Sequence, residues 1–167
     1  MIDFPLTNSG FDIQKAIVDI LLADTNLAAL VGARIHDSPP PSVAFPYIIV
    51  GDMTMQRPEL TSTSMRTTYS MEISALLGPN PLDTTFTLGF EAGHQIMARV
   101  FELLHNGTLT LENGRIVQRL RIGTLRTERI RGQLDSQPDY RQVSAPVEVW
   151  VWQSRTQTAP APEGGGS

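Results

Sequence analysis

The sequence predicts an α+β fold in which helices pack on one face of a largely antiparallel sheet. Two amphipathic helical patterns, several strands that alternate between apolar and polar side chains, and an Asn-Gly hairpin signal support this prediction. Hairpin signals join most strands, and helical crossovers of the βαβ type are not evident. We expect a single domain over residues 1–154 and a flexible, Pro/Gly-rich C-terminal tail over residues 155–167.

The helical patterns give three elements. Apolar spacing predicts a first helix over about 11–23, after which Asp24 or Thr25 caps a short second helix that ends at Gly32. A long helix is predicted over about 85–105, because apolar residues recur along one of its faces. That predicted face comprises Phe86, Phe90, Gly93, Met97, Val100, Phe101 and Leu104.

The strand patterns account for most of the remaining chain. Residues 66–77 alternate between apolar and polar side chains, as in a strand with one buried face. The other strands are predicted at 47–55, 108–111, 115–122, 125–131 and 143–152. The polar segment 57–65 is expected to be a long hairpin loop, and Asn113-Gly114 marks a tight hairpin.

Composition sets limits on the class of protein. A hydrophobic content of 41% with 18% charged residues is ordinary for a globular protein, and no apolar run approaches the roughly 20 residues of a membrane span. The first residues lack the basic and apolar regions of a signal peptide. The absence of cysteine excludes disulfides and thiolate metal sites, and it suits a cytoplasmic product.

Three histidines, His36, His94 and His105, are the candidates for catalytic or metal chemistry. Glu91 and His94 have the Glu-x-x-His spacing of di-iron bundles, but the second motif that such sites need is absent. We therefore assign His94 to a solvated or inter-subunit helix face, and His105 to a cationic cap at a helix C-terminus. Adjacent residues of an extended chain point to opposite sides, so Asp37 is poorly placed to orient His36. With no nucleophile-elbow or phosphate-loop motif, we expect no enzyme, cofactor or metal ion.

Arginines cluster between residues 115 and 131. This segment has six arginines and one glutamate, a balance of +5, whereas residues 1–114 have five basic and twelve acidic side chains, a balance of −7. Period-two alternation puts the arginines of 115–122 on one strand face and Ile116, Leu120 and Ile122 on the other. Arg129 and Arg131 share a face of the next strand. The six arginines are Arg115, Arg119, Arg121, Arg126, Arg129 and Arg131.

Three interpretations of this arginine cluster are open: a solvated sheet face, a contact with acidic patches on neighbouring subunits, or a contact with nucleic-acid phosphates. The net charge of −4 and the absence of aromatic residues interleaved with the arginines argue against a dedicated DNA-binding surface. We therefore favour pairing with protein.

One segment resembles a known family. Residues 24–35 carry the phrase Asp-x-x-Leu-x-x-Leu-Val-Gly-x-Arg-Ile, and a proline-bearing loop then leads to a Pro-Tyr-Ile strand entry at 46–48. The residues of the phrase are Asp24, Leu27, Leu30, Val31, Gly32, Arg34 and Ile35. Together with the order of the later elements, over about residues 10–152, this resembles the small tail-completion proteins of tailed bacteriophages and gene transfer agents.

The resemblance implies a tail terminator. Such a protein forms a hexameric ring on the last ring of tail-tube subunits and stops further polymerisation. It then presents a surface to the head-completion (stopper) protein, and DNA later passes through its lumen. The implied location is the tail or neck of the virion, with assembly in the host cytoplasm, and no catalytic residues are implied.

In such a ring the arginine cluster is a candidate subunit interface or lumen surface. The candidate docking loops comprise Arg57, Pro58, Glu59 and Leu60, and Pro39, Pro40 and Pro41. Two alternatives stay open. One is another neck or tail component, such as a stopper or a tube subunit, and the other is a small cytoplasmic enzyme that uses His36 or His94.

Overall fold

The computed structural model describes residues 9–38, 44–61, 64–78, 89–111, 116–130 and 140–154. Within these residues, three helices and a nine-stranded sheet confirm the predicted α+β fold. The helices are α1 (Ser9–Ala23), α2 (Thr25–Val31) and α3 (Gly89–Leu104). The strands are β1 (Ile35–His36), β2 (Tyr47–Val50), β3 (Thr54–Met55), β4 (Glu59–Leu60), β5 (Ser64–Leu77), β6 (Leu109–Thr110), β7 (Ile116–Ile122), β8 (Arg126–Ile130) and β9 (Tyr140–Ser154).

The sheet is built around the long pair of β5 and β9. Its order is β1-β2-β5-β9-β7-β6, while β3 and β4 also pair with β5, and β8 pairs with β9. β5 and β9 are antiparallel over fourteen residue pairs, from Ser64 opposite Ser154 to Leu77 opposite Arg141, without a shift in register. Only β1 and β2 are parallel among the described strand pairs.

The core lies between the helices and one face of this sheet. Alternate residues of β5 from Thr67 to Leu77, and of β9 from Val143 to Val151, are buried on this face, as the sequence pattern predicts, but Ser74, Leu76 and Ser144 on the opposite face are buried as well. They pack in one cluster with apolar residues of all three helices. The helical members of this cluster are Ile13, Ile17, Leu21, Leu27, Val31, Ile96, Met97, Val100 and Leu104. We name this side of the sheet the helix-covered face.

Gly93 allows α3 to lie close to the two central strands. A Cβ atom at this position would stand 2.6 Å from Cγ2 of Val143 and 2.8 Å from Cδ1 of Leu77, so glycine fits here and larger residues do not. The predicted buried face of α3 is wrong at one residue, because Phe101 is 40% exposed and stacks on His105. At this level of α3 the buried residues are Val100 and Leu104. Phe86, which is also predicted on the buried face, lies outside the described residues.

Asp24 joins α2 to α3 electrostatically. It is the N-cap of α2, where its Oδ1 accepts a hydrogen bond from the Leu27 N–H at 2.7 Å. Arg99 of α3 donates from Nε to Oδ1 of Asp24 at 3.1 Å and from Nη2 to Oδ2 at 2.6 Å, and from Nη1 to Glu102 at 2.7 Å. Hydrogen bonding to Arg99 and then to Leu27 lowers the pKa of Asp24 to about 2.

The phrase that carries the family resemblance has a structural explanation. Gly32 ends α2 with a positive φ of 62°, which glycine adopts at no steric cost. Ile48 N–H then donates to the Arg34 carbonyl, and the Arg34 Nε donates to the Pro46 carbonyl, both at 2.9 Å. Arg34 therefore fixes the entry to β2 against the end of α2. The three prolines Pro39, Pro40 and Pro41 lie outside the described residues.

The strand predicted at 47–55 is two strands in the structure. β2 ends at Val50, opposite Ile73, and β3 resumes at Thr54, opposite Ser70, so three residues face two across a β-bulge. The first of the three is Gly51, whose N–H donates to the Glu72 carbonyl at 2.8 Å. The predicted 57–65 loop is also shorter than expected, because it contains β4 and the first residues of β5.

A second bulge changes the face assignment in β7. Val117 pairs with Val151 and Arg119 with Trp150, so the register shifts between these two pairs. Val117 is therefore fully buried beside Leu120 and Ile122, and it occupies the core position that strict alternation assigns to Ile116. Strict alternation failed here because a bulge adds one residue to one strand only.

We predict that Gly93→Ala lowers the free energy of unfolding by about 1–3 kcal/mol, since the new methyl group overlaps Val143 and Leu77. Alanine is the better helix former by about 1 kcal/mol, so helix propensity alone gives the opposite sign. Urea titration followed by circular dichroism measures the change. Adding Val143→Ala should recover part of the loss. A more stable Gly93→Ala protein would contradict this close packing.

We also predict that stability falls as the pH drops from about 4 to about 2. In the folded state the pKa of Asp24 lies below its usual value of 3.8. The ionised Asp24 therefore stabilises the fold fully above pH 4, and this stabilisation is lost as the pH falls through about 2. Asp24→Asn keeps an oxygen for the Leu27 N–H but removes the charge. Thermal unfolding of both proteins across this range should show that the melting temperature of the variant falls less steeply with pH. Equal slopes for the two proteins would contradict the stabilising role of the Asp24 charge.

Candidate functional site

The sheet face away from the helices carries arginines stacked on tryptophans. In the strand register, Arg66 of β5 lies opposite Trp152, and Arg119 of β7 lies opposite Trp150. The guanidinium carbon of Arg66 is 5.4 Å from the Trp150 ring centroid and 5.9 Å from that of Trp152, and that of Arg119 is 5.1 Å from Trp150. These distances are those of cation–π contacts. We name these four residues the Arg-Trp stack and this side of the sheet the open face.

Opposite charges are interspersed on the open face. Arg66 pairs with Glu59 of β4, and Arg121 lies opposite Glu148 of β9. Over the described residues this face has four arginines and four glutamates, which are Arg66, Arg119, Arg121, Arg126, Glu59, Glu72, Glu128 and Glu148. The strongly basic segment of the sequence is therefore not a strongly basic surface, because neighbouring strands contribute carboxylates.

The structure divides the predicted arginine cluster between two faces. Arg119, Arg121 and Arg126 lie on the open face, whereas Arg129 lies opposite Arg141 on the helix-covered face. Arg115 and Arg131 lie outside the described residues. No aromatic residue is interleaved with these arginines in the sequence, but β9 places Trp150 beside Arg119 in the folded sheet.

The predicted docking loop at 57–60 is part of a strand-like extension of the sheet. We name this extension the arm, and it comprises β3, β4, the connection between them and residues 64–66 of β5. A turn holds the end of the arm, where Thr61 N–H donates to the Ser64 carbonyl at 2.8 Å. Leu60 is 62% exposed and Met55 is 52% exposed, so the helix layer does not cover the arm. Arg57 and Glu59 are exposed and Pro58 is half-buried.

A groove of about 310 Å³ lies between α1 and β6, and we name it the α1–β6 groove. Its apolar lining comes from Ala16, Ile20 and Leu109. Its polar lining comes from three charged residues of α1 and two threonines beside Leu109, which are Asp12, Lys15, Asp19, Thr108 and Thr110. The α1 side of the groove therefore has two carboxylates and one cation. No histidine lines it.

His36 and Asp37 do not form a catalytic pair. Asp37 Oδ1 accepts from the N–H of Ser38 at 2.7 Å, which makes it a local turn acceptor. The His36 ring meets Tyr47 edge-on, with centroids 6.5 Å apart. Burial is the main cause that raises the pKa of the Tyr47 hydroxyl. This corner therefore shows aromatic packing and no oriented base.

The other two histidines lie on or beside α3. His94 and Glu91 are exposed, and no group of three or more histidine, aspartate or glutamate side chains suited to a metal ion occurs in the described part of the chain. His105, which the sequence predicts as a helix cap, directly follows the last residue of α3, and its Nδ1 accepts the Ile122 N–H at 3.2 Å. His105 thus links the end of α3 to β7.

None of the helices that the structure describes combines the length and hydropathy needed to cross a bilayer.

Comparison with known proteins identifies the family. The family model described as "Tail completion protein gp17" matches residues 15–151, which is most of the chain. The chain belongs to this family. The resemblance predicted from the phrase at 24–35 is thereby confirmed, and the protein is a tail completion protein.

A solved structure shares the fold. A chain from the structure described as "Virion of native gene transfer agent (GTA) particle" superposes with a TM-score of 0.67 at 23% sequence identity. The match covers 86% of this chain and 96% of that chain. No curated protein sequence matches this tail completion protein.

Sequence reasoning missed Trp150, Trp152 and Arg66 as functional candidates. A usable signal exists, since both tryptophans occupy outward positions of a strand whose alternate residues from 143 to 151 are all core valines or alanine. Large aromatic residues at solvent-facing strand positions are typical of binding surfaces. Their pairing with arginines depends on strand order, which the local pattern does not contain.

We predict a favourable coupling of about 0.5–1 kcal/mol between Arg119 and Trp150, the usual size for a cation–π pair near the surface. A double-mutant cycle with Arg119→Met and Trp150→Leu, read by urea unfolding, measures it. Arg126→Met is the matched control, because Arg126 lies on the same face opposite Ser144. Zero coupling at Arg119, or equal coupling at Arg126, would count against the stack.

Proposed function

We propose that this tail completion protein is the tail terminator of its particle. It forms a hexameric ring on the last ring of tail-tube subunits, ends tube polymerisation and supplies the joint to the head-completion (stopper) protein. DNA passes through the lumen of the ring. The protein resides in the tail or neck of the virion after assembly in the host cytoplasm, and it acts as a structural part without catalysis.

The observation that carries this proposal is the open face. Its charged and tryptophan side chains come from five strands, it carries exposed Trp152 and Arg119, and it is not covered by the described helices. Tryptophan and arginine are enriched among the residues that dominate protein–protein binding energy. Small-molecule sites are instead concave and enclosed. A broad Arg-Trp surface on a tail completion protein therefore favours a protein partner.

The neighbouring subunit is a suitable partner for this face. Rings require heterologous contacts, in which one patch of a subunit meets a different patch of the next. The described helix layer has five carboxylates and two cations, a balance of −3, and it offers acceptors for arginine donors. These residues are Asp12, Asp19, Asp24, Glu91, Glu102, Lys15 and Arg99. We propose that the open-face arginines Arg119 and Arg121 meet this acidic layer of the next subunit.

We predict that the double charge reversal Arg119→Glu, Arg121→Glu prevents hexamer formation and capping of tail tubes, because it places carboxylates against an acidic layer. Native mass spectrometry with and without purified tubes measures both. Arg129→Glu makes the same change on the helix-covered face and should keep the ring, and circular dichroism checks that each variant folds. Hexamers of the reversed variant that still cap tubes would show that the interface lies elsewhere.

The unmodified protein tests the function itself. A six-fold species that binds tube ends and blocks their growth is the expected result. Growth of the purified protein into stacked rings would instead identify a tube subunit, and a protein that binds the stopper but never a tube end would identify another neck component. Either result would overturn the terminator proposal.

A further inference from the structure

We propose that the arm of one subunit inserts into the α1–β6 groove of the next subunit around the ring. This contact rests on the proposed function, since it needs a ring of identical subunits. Its occupant is a second copy of this chain, and its members are Met55, Arg57 and Leu60 on the arm and Ile20, Asp19 and Leu109 in the groove.

The two surfaces lie at opposite edges of the sheet. β3 and β4 extend along the outer side of β5, whereas β6 is the last strand beyond β9 and β7. The arm and the groove are thus two different patches of one subunit. They can meet between successive copies, which is the head-to-tail geometry that closes into a ring.

The chemistry of the two surfaces is complementary. The arm exposes two large apolar side chains, Leu60 at 62% and Met55 at 52%. Such side chains lose contact with water when they enter a groove lined by Ala16, Ile20 and Leu109. The exposed cation of the arm is Arg57, and Asp19 is an exposed carboxylate of the groove. Burial of the apolar side chains supplies affinity, and the Arg57–Asp19 pair orients the contact.

The outer edges of β4 and β6 also support the contact between the arm and the groove. Within the described residues, β4 pairs only with β5, and β6 pairs only with β7. Each therefore has one side without a partner among the described strands, and such edges are templates for pairing with another chain. An arm that lies along β6 of the next subunit would pair these edges across the boundary.

A charge swap tests the orientation of the contact. Arg57→Glu alone and Asp19→Arg alone place like charges together at every subunit boundary, so each should raise the dissociation constant of the ring about tenfold or more. The double variant Arg57→Glu, Asp19→Arg restores opposite charges at each boundary and should return to within about threefold of the unmodified protein. Sedimentation velocity over a dilution series measures the three values.

Engineered disulfides test the proximity directly, since the natural chain has no cysteine. Leu60→Cys with Thr108→Cys should give, under oxidation, a ladder of covalent species that ends at six subunits. Leu60→Cys with Thr124→Cys is the control, because Thr124 is exposed in the turn between β7 and β8, outside the groove, and it should give no ladder.

The outcomes separate this inference from the function on which it rests. Intact rings that cap tubes, with no rescue by the charge swap and no covalent ladder, would overturn the arm–groove contact and leave the terminator function standing. Cross-links from Leu60→Cys to a tube or stopper protein alone would also overturn it. An unmodified chain that forms no ring would overturn the terminator function first.

Discussion

The unbroken pairing of β5 with β9 is the constraint on which the rest of the molecule depends. Because its fourteen residue pairs keep one register, each strand presents one mainly apolar row to the helices and one mixed row to the open face. β2, β3 and β4 attach along one side of this ladder, and β7 and β8 attach along the other. A one-residue slip would exchange the two rows and destroy the core and the open face together.

The helices are held to this ladder by two contacts of different kinds. Gly93 removes a side chain where α3 crosses the central strands, and the bidentate Asp24–Arg99 pair connects the cap of α2 to α3. The first contact sets the distance between layers, and the second sets the position of α2 along α3. The residues of the family phrase therefore have structural roles between α2 and β2. Asp24 caps the start of α2, Gly32 ends it, and Arg34 holds the segment that leads into β2.

The sequence predicted the parts of this structure that local periodicity encodes. The buried row from Thr67 to Leu77, a cap at Asp24 or Thr25 and the order of elements follow from spacing and side-chain chemistry alone. The bulges at Gly51 and before Arg119 could not be predicted, because they depend on how many residues of a distant strand lie opposite. The Arg-Trp stack was missed for the same reason, since Arg119 meets Trp150 only when β7 lies beside β9. Folding likewise placed Glu148 opposite Arg121, which the charge count of a single segment does not foresee.

The interspersed glutamates and arginines of the open face have a kinetic consequence. Opposite charges interspersed on one face largely cancel one another at a distance, and salt screens the remaining field within about 8–10 Å at physiological ionic strength. Such a surface attracts a partner little from afar, and its encounters proceed at the slower rates of association without electrostatic steering, about 10⁵–10⁶ M⁻¹s⁻¹. In the proposed ring, a contact through this face therefore owes its affinity to short-range pairing after the two subunits have met. The lifetime of the joined pair, rather than the rate of encounter, sets the stability of such a contact.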